Sequence, residues 1–260
     1  MPRFCAHLGY LFTELPLEER FSAAANAGFV AVEHPSPYDF GPDRFGNLAA
    51  INGLSVAQIS APSGNAKVGE KGFACLADRA DDFQTNVRQG IEAAVAVGTN
   101  LLHVMPGILP DGLDREQLRD TYVRNLKWAA DECRAANLSV LIEPISDETI
   151  PGFYVNHPEF AISLLDDVDA ANARLMLDVY HAAVKELDPI AFVRANMERI
   201  AHIQIADYPG RHEPGSGSVL FSRFFKELDT LGYEGLVGCE YKPATETQQG
   251  LSWFVPFRQA

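Results

Sequence analysis

The sequence predicts an α/β protein in which all 260 residues form a single (β/α)8 TIM barrel. Three observations carry this. Short apolar runs recur eight times, each followed by a longer segment whose apolar residues fall at helical spacing. Gly28, Gly98, Asn137 and Gly232 stand where those segments end, and Gly and Asn are the residues that turn a chain through a left-handed conformation past a helix. The segment after the first run, Phe12-Thr13-Glu14-Leu15-Pro16, lacks the Gly-rich phosphate turn that an open, doubly wound sheet would carry there.

The elements follow in order. The first strand is expected at 4–10 and leads into an amphipathic helix at 17–27, with further strands at 29–34 and 54–60. Residues 61–79 are too many for a simple strand-to-helix connection and place Gly64, Gly69 and Gly72 beside Lys67, Glu70 and Lys71. Following a strand's C-terminal end, where barrel active sites lie, this segment is expected to be an active-site lid. The remaining strands are expected at 100–105, 138–143, 174–178, 200–205 and 236–240, with crossover helices at 80–97, 115–136, 158–166 and 221–231.

Composition narrows the partners. With 47% hydrophobic and 22% charged residues the chain has the make-up of a globular domain with a sizeable core. A formal charge of −14, offset by no Lys/Arg block, would repel phosphates and excludes nucleic acid as an expected partner. Cys5, Cys75, Cys133 and Cys239 are far apart with no paired spacing, so reduced thiols are expected. Met1-Pro2-Arg3-Phe4-Cys5 lacks the flanks of a signal peptide and no later run is long enough to span a bilayer, so a cytoplasmic protein with no membrane partner is expected.

Chemistry concentrates at strand ends. Glu143, Asp178, Gln204 and Glu240 each stand at or near the C-terminal end of an otherwise apolar run. Strand side chains alternate faces, so inward residues at neighbouring strand ends of a barrel converge on its top face. Carboxylates gathered there would repel and raise one another's pKa unless a cation neutralised them. Hard oxygen donors of this kind suit Mg²⁺ or Mn²⁺ better than structural zinc. Arg211, just after the strand bearing Gln204, is the first candidate for gripping an acidic substrate, because a planar guanidinium meets a carboxylate in two parallel hydrogen bonds. Lys242 is the second, and Glu70 would enter from the lid. His202, two residues before Gln204, shares its inward face but lies deeper, where a hydrogen-bonded supporting role is expected.

Several stretches resemble the hydroxypyruvate isomerase family: Pro35-Ser36-Pro37-Tyr38-Asp39, Gly69-Glu70-Lys71-Gly72, Ile142-Glu143-Pro144-Ile145, Leu177-Asp178-Val179-Tyr180-His181, the run from His202 to Gly217, and Gly238-Cys239-Glu240-Tyr241-Lys242-Pro243. His103-Val104-Met105-Pro106-Gly107 and Leu251-Ser252-Trp253-Phe254 also resemble the related 2-oxo-tetronate isomerases, and both groups belong with the xylose isomerase-like barrels. The resemblance implies that Glu143 and Glu240 are metal ligands and the acid/base pair, that Asp178 and Gln204 complete the coordination, and that His181 contacts a substrate hydroxyl. His7 stands where close relatives are expected to carry Asn.

The implied activity is a metal-dependent aldose-ketose type isomerisation of small sugar acids, hydroxypyruvate to tartronate semialdehyde through an enediolate. A four-carbon 2-oxo acid is the alternative substrate. A more distant alternative is an abasic-site endonuclease-like phosphodiesterase, opposed by the acidic surface and by only seven His residues. Exposed barrel helices often pair, which leaves a homo-oligomer open.

Overall fold

The computed structural model describes residues 1–258. Its strands are β1 (Arg3–His7), β2 (Ala31–Glu33), β3 (Ser55–Val56), β4 (Ile59–Ser60), β5 (Leu101–His103), β6 (Ser139–Ile142), β7 (Ala173–Asp178), β8 (Ile200–Ile205) and β9 (Leu236–Cys239). The α-helices are α1 (Leu17–Ala27), α2 (Pro42–Ile51), α3 (Ala80–Val97), α4 (Arg115–Ala135), α5 (Pro158–Val168), α6 (Val179–Val184), α7 (Pro189–Asn196) and α8 (Phe221–Thr230). The chain divides into two compact units.

The first unit comprises residues 1–34, 43–57 and the described chain from Leu177 onward. Its strands run parallel in the order β3-β2-β1-β9-β8. Register places His7 beside Glu33, Cys5 beside both Ala31 and Gly238, and Gln204 beside Gly238, so these residues share one face. The opposite face is apolar. Phe4 packs edge-on against Phe225 of α8 at 5.2 Å and lies 5.1 Å from Phe257 in the 3-10 segment Gln249–Phe257. On α8, Phe221, Phe224, Phe225 and Leu228 fall at helical spacing and are all buried.

The second unit comprises residues 35–42 and 58–176. Parallel strands β4, β5, β6 and the start of β7 follow one another in that order, with α3, α4 and α5 packed in sequence beside them. Segment 61–79 lies wholly here. It is built from two short 3-10 turns, Ala66–Val68 and Ala77–Arg79, around buried Phe73, Ala74 and Cys75. Gly72 adopts φ +92°, and a Cβ there would stand 2.0 Å from the Met105 carbonyl oxygen, so only glycine permits this approach.

Two expectations are corrected. The strand expected at 54–60 is interrupted at Ala57 and Gln58, because β3 pairs with β2 whereas β4 pairs with β5, and a run serving two ladders breaks where it leaves one for the other. Helices α2, α6 and α7 were not expected. Gly46, a poor helix former, sits inside α2, α6 is only 6 residues long, and Asp188-Pro189 reads as a turn although it caps α7, Asp188 accepting from the Ile190 amide at 2.9 Å. No helix among the described residues is long and apolar enough to cross a membrane.

Candidate active site

Each expected site residue is set by its element. In the first unit Asp178 ends β7 and caps α6, accepting from the Tyr180 amide at 2.9 Å, which leaves its other oxygen for side-chain partners. That oxygen, Oδ2, lies 3.1 Å from Arg211 Nη2 and 3.5 Å from His181 Nε2. The same Arg211 nitrogen lies 3.1 Å from Oε2 of Glu240, the residue after β9. One guanidinium therefore serves two carboxylates, Asp178 fully buried and Glu240 with 14% of its side chain exposed. It is also flanked by rings, 5.2 Å from the centroid of Tyr10 and 4.9 Å from that of Tyr180.

The loop carrying Arg211 is organised by Asp207, fully buried and unremarked in the sequence. Its carboxylate accepts from the amides of Tyr208, Gly215 and Val219 at 2.9, 2.8 and 3.0 Å. Arg211 itself sits in the left-handed region, φ 58°, with its amide donating to the Asp207 carbonyl at 3.0 Å and its own carbonyl accepting from Lys242 at 2.8 Å. Lys242 contributes backbone here, and its side chain is exposed.

A second polar group lies on the shared inner face. Glu33, wholly buried, accepts from His202 Nε2 at 2.7 Å and from Gln204 Nε2 at 3.1 Å. Burial alone would raise the Glu33 pKa, but the charge and hydrogen bond of His202, with His7 and Gln204, hold it down to about 2. Gln204 Oε1 is buried with no hydrogen-bond partner. His202 thus takes the supporting role expected of it. Glu33 was missed, although a lone Glu closing the run Phe29-Val30-Ala31-Val32 was visible.

The electrostatics are unbalanced. Burial, reinforced by Asp178 and Glu33 and only partly offset by Arg211, pushes the Glu240 carboxyl up to about 8. His7 accepts from the Gly9 amide on Nδ1 at 3.2 Å, so its neutral ring carries its proton on Nε2, 3.7 Å from Glu240 Oε1. Burial lowers His7 and His181 to about 4, leaving both neutral near pH 7.

In the second unit Glu143 follows β6 and is buried, with Oε2 4.0 Å from His103 Nε2. His103 Nδ1 shares a 3.1 Å hydrogen bond with Ser60 Oγ, and burial lowers the ring to about 4. Glu70 is engaged within its own segment, pairing with Arg79 at 2.9 Å and accepting from the Asn65 amide at 2.6 Å.

The family model for the xylose isomerase-like TIM barrel matches residues 21–257. This chain belongs to that family. The (β/α)8 architecture expected from the sequence is therefore the right one. Among curated family relatives, the 2-oxo-tetronate isomerase of Cupriavidus necator is 38% identical over 99% of both chains. The hydroxypyruvate isomerase of Escherichia coli is 37% identical over 99% of this chain and 100% of its own. A Brucella melitensis crystal structure described as an AP endonuclease of family 2 superposes with a TM-score of 0.96 at 37% identity, each chain covered completely. The resemblance to hydroxypyruvate and 2-oxo-tetronate isomerases is thus shown at full length, and isomerases are the enzyme class expected from the sequence.

Proposed function

We propose that this chain is a divalent-metal-dependent isomerase of small sugar acids that converts hydroxypyruvate to tartronate semialdehyde. The observation that carries the reading is the deficit of positive charge around Asp178 and Glu240. Asp178 and Glu240 share one guanidinium, the Glu240 carboxyl is pushed up to about 8, and Gln204, in register with Gly238 two residues before Glu240, leaves Oε1 a buried, unpartnered acceptor. A divalent cation fits that donor set of hard oxygens. Asp178, Gln204 and Glu240 would hold it, with Glu143, the residue after β6, as the fourth ligand. Mg²⁺ or Mn²⁺ suits these ligands, and its chemistry when bound is to polarise the carbonyl and offset the enediolate charge.

The chain's own groups do the rest. Arg211, fixed between Tyr10 and Tyr180, binds the substrate carboxylate, and His181 hydrogen-bonds a hydroxyl. Glu143 and Glu240 form the proton-transfer pair: a proton leaves C3, the C2–C3 enediolate forms, and a proton returns to C2 while the hydroxyl proton moves from O3 to O2. Lys242 and Glu70 are secondary substrate contacts, and segment 61–79, within one barrel domain, serves as the lid. The four free, buried cysteines fit a reducing compartment, so a cytoplasmic location belongs to this reading.

Relatives named for both activities make 2-oxo-tetronate the second substrate to test. The Brucella structure's description favours a different reading, phosphodiester cleavage at abasic sites. The net charge of −14 opposes it. The deciding experiment follows solvent deuterium into hydroxypyruvate and the four-carbon acid, beside an abasic duplex, with metal-stripped protein and single-metal add-back. Exchange restored by Mg²⁺ or Mn²⁺ supports the isomerase, and duplex cleavage without exchange overturns it. Glu240→Gln, checked for metal content, should lose ~10²–10⁴-fold in turnover.

A further inference from the structure

A glutamine amide can turn toward a cation either its oxygen, which binds one, or its NH2, which repels one, and its neighbours decide which. At Gln204 the deciding neighbour is Glu33. An ionised carboxylate has no proton to give, so it accepts the Gln204 Nε2–H on Oε1 and the His202 Nε2–H on Oε2. Turning the amide round would set oxygen against oxygen in a buried site. Gln204 Oε1 is left on the other side, buried and unpartnered.

The carboxylate needs space to reach so far. Glu33 stands on β2 and Gln204 on β8, with β1 and β9 between them in the sheet. Gly238 of β9 lies directly in the path. A Cβ there would stand 2.1 Å from Glu33 Oε1 and 3.0 Å from Gln204 Cγ. Its φ does not lie in the left-handed region, so the missing side chain, not backbone freedom, is what this glycine contributes.

We propose that Glu33 is a positioning residue that locks the Gln204 amide with Oε1 presented as a metal ligand, and that Gly238 is the gap through which it acts. The proposal rests on the divalent-metal reading above. It makes a specific demand of Glu33→Gln. With His202 protonated on Nε2, the new amide uses its oxygen for His202 and turns its NH2 to Gln204, which then accepts and rotates its own NH2 to where Oε1 was; because His202 Nδ1 has no hydrogen-bond partner, the tautomer is read in the variant from the ring ¹⁵N shifts. The double variant Glu33→Gln/Gln204→Glu repairs this: residue 33 still accepts from His202 and donates to the new carboxylate, whose second oxygen faces outward.

The test titrates Co²⁺ into metal-free wild type and variants, reading affinity and the visible spectrum, while side-chain ¹⁵N–¹H exchange at Gln204 is followed in metal-free protein. Wild type should bind Co²⁺ and show a protected Gln204 amide. Glu33→Gln should weaken Co²⁺ by ~10–100-fold and alter its spectrum, and the double variant should recover most of that loss. Glu33→Asp keeps the charge but is too short to reach, and should show the same weakening if Glu33→Gln fails to fold. Wild-type affinity and spectrum in Glu33→Asp, or in Glu33→Gln with His202 still protonated on Nε2, a double variant no better than the single one, or an unprotected wild-type Gln204 amide overturns the role of Glu33. Wild type that binds no divalent metal overturns the metal reading itself, and this proposal with it.

Discussion

Arg211 lies 3.1 Å from both the Asp178 and the Glu240 carboxylate through one nitrogen, and its removal has two separable effects. Toward substrate, Arg211→Ala should cost ~1.5–3 kcal/mol of transition-state binding for sugar acids and much less for neutral ketoses, read from kcat/KM on both. Toward stability, it leaves the buried Asp178 carboxylate without its cation, so metal-free protein should lose ~3–5 kcal/mol in urea unfolding. Equal kinetic losses for acids and neutral sugars would assign Arg211 a purely structural role. At this scale the sequence was informative where a polar residue closed an apolar run, as at Asp178, Gln204 and Glu240. Glu33 and Asp207 escaped notice for a physical reason. A carboxylate at a strand end reads as an edge residue until its partner is known, and the His202 partner of Glu33 is 169 residues away. Asp207 acts only on amides of its own loop, which no pattern of side chains announces.

Helix ends were legible wherever the chain turned on a residue that tolerates positive φ. Gly28 at 95°, Gly98 at 78°, Asn137 at 59° and Gly232 at 68° all lie just past the helices they were expected to end. The start of α4 has a reciprocal lock. Asp114 accepts from the Gln117 amide at 3.0 Å while the Gln117 side chain accepts from the Asp114 amide at 2.8 Å. Asp114→Ala should therefore cost about 1 kcal/mol in chemical denaturation with kinetics unchanged, and Asp114→Ser should recover most of it. A loss within error would show the cap to be redundant with packing of α4. The unexpected α2 and α7 are held by tertiary burial, of Phe45 and Ala49 in one and Phe192 and Val193 in the other, which local pattern does not reveal.

For the whole molecule, the metal reading makes a thermodynamic demand independent of activity. A cation that binds only the folded chain stabilises it by ~2.7 kcal/mol at a hundredfold excess over Kd. For a chain of 260 residues that raises Tm by about 5–10 °C. Mn²⁺ should produce this shift in wild type and a much smaller one in Asp178→Asn, and an unchanged Tm in wild type would count against a structural grip on the ion. The pairing of β1 has a further consequence, one of time. β1 takes β2 as one neighbour within a few tens of residues, but its other neighbour, β9, begins only at Leu236. During synthesis that second edge stays open while the intervening chain is made, roughly 10–50 s at ribosomal rates. Through that interval β1, which carries His7 beside Glu33, lacks its second neighbour, and the nascent chain depends on whatever shields an unpaired strand until β9 emerges.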